Sequence, residues 1–344
     1  MPSLVRALTV AALWLVFATG TTLQAQATET RLWATAFASP GNCRAYARAT
    51  GPEQFSRSVA GFSWPMPKGS GAEFIDRTIL HLNAAAAGRA NTQILLARLL
   101  TAANSGAYTR LDFGARGGSS PSFVTSVMVR TVAHAVSYLR EENAISPGDL
   151  KAIDNWVRVL LRNSGKKAGS TDHKASIAAA NLAWGAAVGD TRLFRSGITA
   201  LDRVMGKIRK TPRFDSKVRV NTETLPIVLM AAHILRLNGI DYFAKSFGKH
   251  TLHDVVAYHA AWVRQTGTKK VKTEAISDSV ARSIMKSDGW GTHQAWIPLY
   301  LAHFPNSYAA AEVRALHAQV KRAQNIPYYG RNMGVYSACY FGMR

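Results

Sequence analysis

The sequence predicts an all-α protein whose helical hairpins pack side by side as an incomplete (α/α) toroid, preceded by an irregular N-terminal arm. Three observations carry that prediction. From about residue 72 onward, apolar residues recur at helical rather than alternating spacing. Some ten such segments of similar length follow one another across short turns, which favours antiparallel neighbours. No alternating strand and no fixed-period repeat interrupts them. Hairpins that each hide one face must pack on others, and around a ring they leave a central groove lined by loops and helix ends. A solenoid of helical repeats is the structural alternative, and the weak internal similarity counts against it.

The chain divides into 1–27, 28–72 and 73–344. The first piece carries one charge at Arg6, an apolar run over 7–17 and the small-x-small sequence Ala25-Gln26-Ala27. This is the pattern of a cleaved secretory signal, too short to span a bilayer. No later stretch reaches the roughly 18 apolar residues of a span, so a soluble periplasmic or secreted protein is expected. In 28–72, Pro40, Gly41, Gly51, Pro52, Pro65, Pro67, Gly69 and Gly71 break any period. That segment reads as an arm wrapped on the main body, with Trp64 and Lys68 placed to form a lid.

The toroid begins with Phe74, Ile75, Ile79 and Leu82 at helical spacing, then Ile94, Leu95, Leu99 and Leu100. A glycine-rich loop over 104–121 holds Tyr108, Arg110 and Arg116. Further helices are predicted at 122–142, 147–162, 173–189, 191–210, 222–238, 241–265, 273–286, 292–304 and 307–324. Ser146-Pro147 and Asn306-Ser307 are start signals of the capping type. Thr171 or Asp172 is the expected cap of the 173–189 helix, placing His173 in its first turn, where a side chain can face a cleft.

Charge dominates the composition. The 344 residues carry 42 Lys and Arg against 20 Asp and Glu, a formal net charge of +22. Such an excess attracts polyanions over long range. Nucleic acid is disfavoured, because the usual recognition motifs are missing and the secretory address argues against it. An anionic polysaccharide fits both charge and address. Cys43 and Cys339 are the two cysteines; in an oxidising compartment they can pair, and closing so long a loop has a model stabilisation of about 5 kcal/mol. Neither has a neighbouring Cys or His at ligand spacing, and His250-x-x-His253 lacks a third ligand. No metal and no cofactor are therefore assigned.

Several segments carry a resemblance to a known family. Asp172-His173 opens an Ala-rich helix that ends in Gly189-Asp190-x-x-Leu193-Phe194. The stretch from Arg219 through Asn221, Glu223, Thr224, Leu225 and Pro226 runs on toward Asn238-Gly239. Trp290 and the run Ala295-Trp296-Ile297-Pro298-Leu299-Tyr300 follow. In order and spacing these segments resemble the alginate lyases of polysaccharide lyase family 5 and their alginate-lyase-domain relatives, over roughly 74–304. The resemblance implies a toroid and β-elimination on a uronate polymer such as polymannuronate or an acidic exopolysaccharide. It places Asp172-His173 where the family has an Asn-His pair associated with carboxylate neutralisation and proton abstraction, so that His173 is expected as base or carboxylate partner, and Arg219 as a neutraliser of the uronate carboxylate. Substrate contacts are expected from Asp172, Lys174, Asn221, Tyr108 and Arg116, and the protein is expected to be a monomer.

The chemistry explains those residue types. An elimination needs the carboxylate next to the acidic carbon neutralised, a base for the ring proton and an acid for the leaving oxygen. This chain departs from the family pattern at three points. Asp172 stands for the expected Asn, Ser176 for the expected Trp, and Val220 falls where the family has its catalytic Tyr. Tyr108, Tyr242 and Tyr258 are candidates for the acid by residue type; otherwise His173 serves as both base and acid. A non-catalytic polysaccharide-binding protein remains the alternative, and a hydrolase would need a carboxylate pair such as Asp172 and Glu223.

Overall fold

The computed structural model describes residues 55–62, 68–88, 91–114, 119–268, 293–323 and 329–341. Within them, helices alternate between two layers. The hairpin of α1 (Gly71–Ala86) and α2 (Thr92–Asn104) comes first, followed by α3 (Pro121–Glu141) with α4 (Pro147–Ser164) and α5 (Thr171–Val188) with α6 (Thr191–Met205). Next come α7 (Val218–Leu237) with α8 (Leu252–Thr268), and α9 (Trp296–His303) with α10 (Ala310–Ala323). The odd-numbered helices touch in sequence, α1 on α3, α3 on α5, α5 on α7 and α7 on α9, and form the inner layer of the toroid.

Composition sorts the layers. The α5 sequence TDHKASIAAANLAWGAAV has no polar face, and nearly all of it from Asp172 to Ala187 is buried. Such a helix belongs inside. By contrast α6 buries only Phe194, Gly197, Leu201, Val204 and Met205, a one-sided stripe that suits an outer helix. Small residues bring the two together. A Cβ on Gly197 would lie 2.6 Å from the Leu182 amide nitrogen, and one on Gly185 would lie 2.5 Å from that of Phe194. These crossed pairs fix α6 antiparallel to α5, with the end of α6 beside the start of α5.

Between α3 and α5 the register is parallel. Phe123 packs on His173, the Ser126 and Ser176 hydroxyls meet at 2.5 Å, and Arg140 donates to the Ala187 carbonyl at 2.6 Å. Because α6 returns to the starting end of α5, α7 also begins there. The inner helices α3, α5 and α7 therefore present their N-termini at one end of the ring.

The C-terminal segment closes the circle between first and last inner helices. Its strand β4 (Val335–Tyr336), paired antiparallel with β3 (Tyr329–Gly330), lies on α1, while α11 (Ser337–Phe341) lies on α9. The 3₁₀ turn Arg331–Met333 sits against α3 and α7. Arg331 forks onto Asp76 of α1 with two 2.7 Å bonds, and Arg130 of α3 donates to the Asn332 carbonyl. Gly334, at φ +74°, has no room for a Cβ, which would stand 2.9 Å from the His134 ring. Cys339 is disulfide-bonded. Cys43, the other cysteine of the sequence, lies outside the described residues.

Several sequence expectations shift. Residues 241–251 are not helical: Gly248 at φ +69° lies under the Arg209 backbone and Phe247 bridges His250, so α8 starts at Leu252. Helix α7 begins at Val218 rather than 222, and α10 at Ala310 rather than 307. The cap of α5 is Ser170, without a side-chain bond, in place of Thr171 or Asp172. Two-residue strands do occur, β1 (Ser58–Val59) pairing in parallel with β2 (Arg110–Leu111). The expected signal, Trp64, Trp290 and the 273–286 helix lie outside the described residues.

Candidate active site

The first turn of α5 places Asp172, His173 and Lys174 at the end of the ring where the inner helices begin. Asp172 and His173 point inward and are 5% and 3% exposed, whereas Lys174 is exposed to solvent. His173 Nε2 lies 3.1 Å from the Ser164 carbonyl oxygen at the end of α4, and the Phe123 ring stands edge-on at 5.8 Å. Burial lowers the imidazole pKa below its ordinary value, and this outweighs the Ser164 carbonyl, the Asp172 charge and the Ser122 backbone, all of which favour the cation. The result is a histidine neutral near pH 7 with acceptors in place for an added proton.

Asp172 is the unusual member. Its Oδ1 is buried with no hydrogen-bond partner among the described residues. A buried carboxylate oxygen without a donor is costly, and the nearby helix N-terminus offsets only part of that cost.

The first turn of α7, at the same end, carries Arg219 and Asn221. The Arg219 side chain lies outside the described residues. Asn221 is 3% exposed and bonded on all sides to backbone: Oδ1 accepts from Phe214 N at 2.7 Å and Asp215 N at 3.2 Å, while Nδ2 donates to the Asp215 and Lys217 carbonyls. It shapes the loop that delivers Arg219 to the start of α7. Glu223, one turn on, is half-buried.

The tyrosines fall elsewhere. Tyr108, 1% exposed at φ +60°, donates its hydroxyl to the Gly69 carbonyl at 3.0 Å and packs on Phe55 and Phe74, fastening Phe55 and Gly69 to the ring. Tyr242 donates to Asp202 at 2.8 Å, and Tyr258 is exposed on α8. Burial raises the Tyr108 and Tyr242 hydroxyls well above the ordinary tyrosine value. Arg116 lies outside the described residues. His253 bonds Tyr300 at 2.6 Å, and His250 faces the Lys210 carbonyl, so that pair is structural. Among the described residues no cluster of three or more His, Cys, Asp or Glu side chains is placed to hold a metal ion. No helix among them is long and apolar enough to cross a membrane.

Sequence reasoning missed the polar interior behind this site. Arg130 and His134 of α3 are 1% exposed. Arg130 donates to Ser176 at 3.1 Å, and His233 of α7 bonds His303 of α9 at 2.8 Å. The available signal was an Arg and a His four residues apart inside an otherwise apolar run.

A helical toroid with a buried histidine at the shared end of its inner helices defines the class. Solved structures place it more closely. Alginate lyase A1-III from Sphingomonas species A1 superposes with a TM-score of 0.64 at 15% identity, over 96% of this chain and 93% of that one. A Tyr-to-Phe variant of alginate lyase A1-III complexed with tetrasaccharide gives 0.64 at 14% identity, over 91% of each chain. The apo form of a His-to-Ala variant gives 0.65 at 15% identity, over 92% and 93%. These likenesses establish the (α/α) toroid fold. The sequence pattern of the alginate lyase family matches residues 92–269, which span α2 to α8. The chain belongs to the alginate lyase family. No curated protein sequence matches it significantly.

Proposed function

We propose that the protein is an exported polysaccharide lyase that cleaves a uronate-containing anionic polymer by β-elimination. The observation that carries this reading is His173: neutral by burial, in the first turn of an inner helix, in a chain of the alginate lyase family. With Nε2 bonded to the Ser164 carbonyl, the other ring nitrogen takes the proton from C5 of the uronate. The C4–O bond breaks, the C4–C5 double bond forms, and the leaving oxygen takes up a proton, returned by the imidazolium. Arg219, at the start of the neighbouring inner helix, neutralises the carboxylate so that the enolate charge is stabilised. Asp172 and Lys174 flank the sugar, with Lys174 at the solvent side.

The net charge of +22 supports an acidic polymer, and residues 1–27 support export. The test is incubation with alginate, polymannuronate, glucuronan and a neutral glucan, followed by mass analysis for unsaturated uronate ends. Unsaturated products from an acidic polymer alone support the reading. Binding without cleavage of any of them leaves a carbohydrate-binding protein and removes the lyase.

A further inference from the structure

The outer helix α6 and the turn after it carry a dense excess of positive charge. Residues 190–219 contain nine Arg and Lys against three Asp. On α6, Arg192, Arg195 and Arg203 are exposed at spacings of three and eight, on the face opposite Phe194, Leu201, Val204 and Met205. Lys207, Arg209 and Lys210 continue the exposed row through the 3₁₀ turn. Each of the three acids is engaged by other partners. Asp190 caps α6 and pairs with Arg158, Asp202 holds Lys245 and Tyr242, and Asp215 accepts from the Lys217 amide. On α4, by comparison, Arg158 is neutralised one turn away by Asp154 at 2.8 Å.

The row is long and directed. From Arg192 to Lys210 it covers about 30 Å at helical rise; Arg195 and Arg203 stand about 12 Å apart along the axis, and the other successive cations rise less than the ~8 Å screening length of physiological salt. Since α6 runs antiparallel to α5, Lys207–Lys210 stands at the end of the ring that holds His173, and Arg192 at the far end. None of the large exposed apolar side chains, Ile94, Phe113, Ile240, Tyr258 and Tyr308, lies on it. A protein partner would call for aromatic or aliphatic anchors and a membrane surface for inserted apolar groups. A row of cations alone suits a flexible polyanion.

We propose that the outward face of α6 and the Gly206–Lys210 turn form a track that binds a stretch of anionic polysaccharide outside the cleavage site and guides it to the His173 end. This rests on the lyase reading for the polymer class, while the binding surface itself is tested separately. The variant is Arg192→Gln/Arg195→Gln/Arg203→Gln; the control removes equal charge from exposed sites elsewhere, Lys151→Gln/Arg162→Gln/Arg314→Gln. Binding to immobilised polymannuronate is measured against salt, and KM is measured for long polymer and for a tetrasaccharide. The track variant elutes at lower salt, with a log–log salt slope shallower by roughly one to two. Its KM for polymer rises several-fold with the tetrasaccharide KM unchanged, and the control moves neither. Equal shifts in both triple variants, or no shift in the track variant, overturn the track. So does loss of binding to phosphatidylglycerol vesicles with polymer binding intact. If the wild type binds polymer but cleaves nothing, the lyase reading falls, and the salt comparison still decides the track.

Discussion

His173 and Phe123 meet edge-on at 5.8 Å, across the interface where two parallel inner helices begin. That ring helps bury the imidazole, and burial lowers its pKa against the Ser164 carbonyl, which favours the cation. The acid limb of kcat/KM accordingly lies below the ordinary histidine value of 6.5. Phe123→Leu thins the cover, eases the desolvation of the imidazolium, and moves that limb toward higher pH. A limb unchanged in Phe123→Leu, measured on a variant that still melts cooperatively, contradicts burial as the cause.

Asp172 brings like charge to a substrate carboxylate. Asp172→Asn removes the repulsion and replaces a buried carboxylate whose Oδ1 has no donor. KM for the uronate polymer falls several-fold, kcat changes little, and the melting temperature holds or rises. Because the Asp172 charge favours the His173 cation, the acid limb also moves to lower pH. A rise in KM would show instead that the carboxylate serves the substrate as an acceptor.

Two glycines on one hairpin respond in opposite ways. Gly197→Ala drives a Cβ into the Leu182 backbone and costs about 1–3 kcal/mol. Gly206 is in the right-handed helical region at φ −55° with open space around it, so Gly206→Ala stabilises by about 0.4–1 kcal/mol. Urea melts of the two variants check both signs, and equal effects would refute the close contact of α5 with α6.

Acid should destabilise the ring from within. Burial holds His134 and His259 down to about 3 and His303 down to about 4, against 6.5 for the ordinary side chain. Below that ordinary value the unfolded chain takes up protons that the folded chain refuses, so stability is lost as pH falls from 6.5 toward 4. The His233–His303 bond also needs one neutral ring. Melting temperature against pH reads this directly, and a flat profile across that interval contradicts it.

The layers were legible in the sequence because periodicity reports burial: the all-round apolar α5 and the one-sided α6 differ in pattern before any contact is known. The first-turn position of His173 was legible for the same reason, from the switch between polar loop and Ala-rich run. Closure of the ring was not. Arg331 meets Asp76 and Asn332 meets Arg130 across most of the chain, and no local pattern announces a pairing at that distance. Nor could residue type alone tell that Asn221 spends its amide on the 214–217 loop, or that Tyr108 and Tyr242 are already bonded to Gly69 and Asp202.

The most direct test of the central claim is ultraviolet absorbance of the 4,5-unsaturated uronate formed from polymannuronate by the wild type and by His173→Ala, each shown to be folded by its helical circular dichroism. We expect absorbance to grow with the wild type and to stay at the background rate with His173→Ala. Equal growth with both proteins would contradict the assignment of the base.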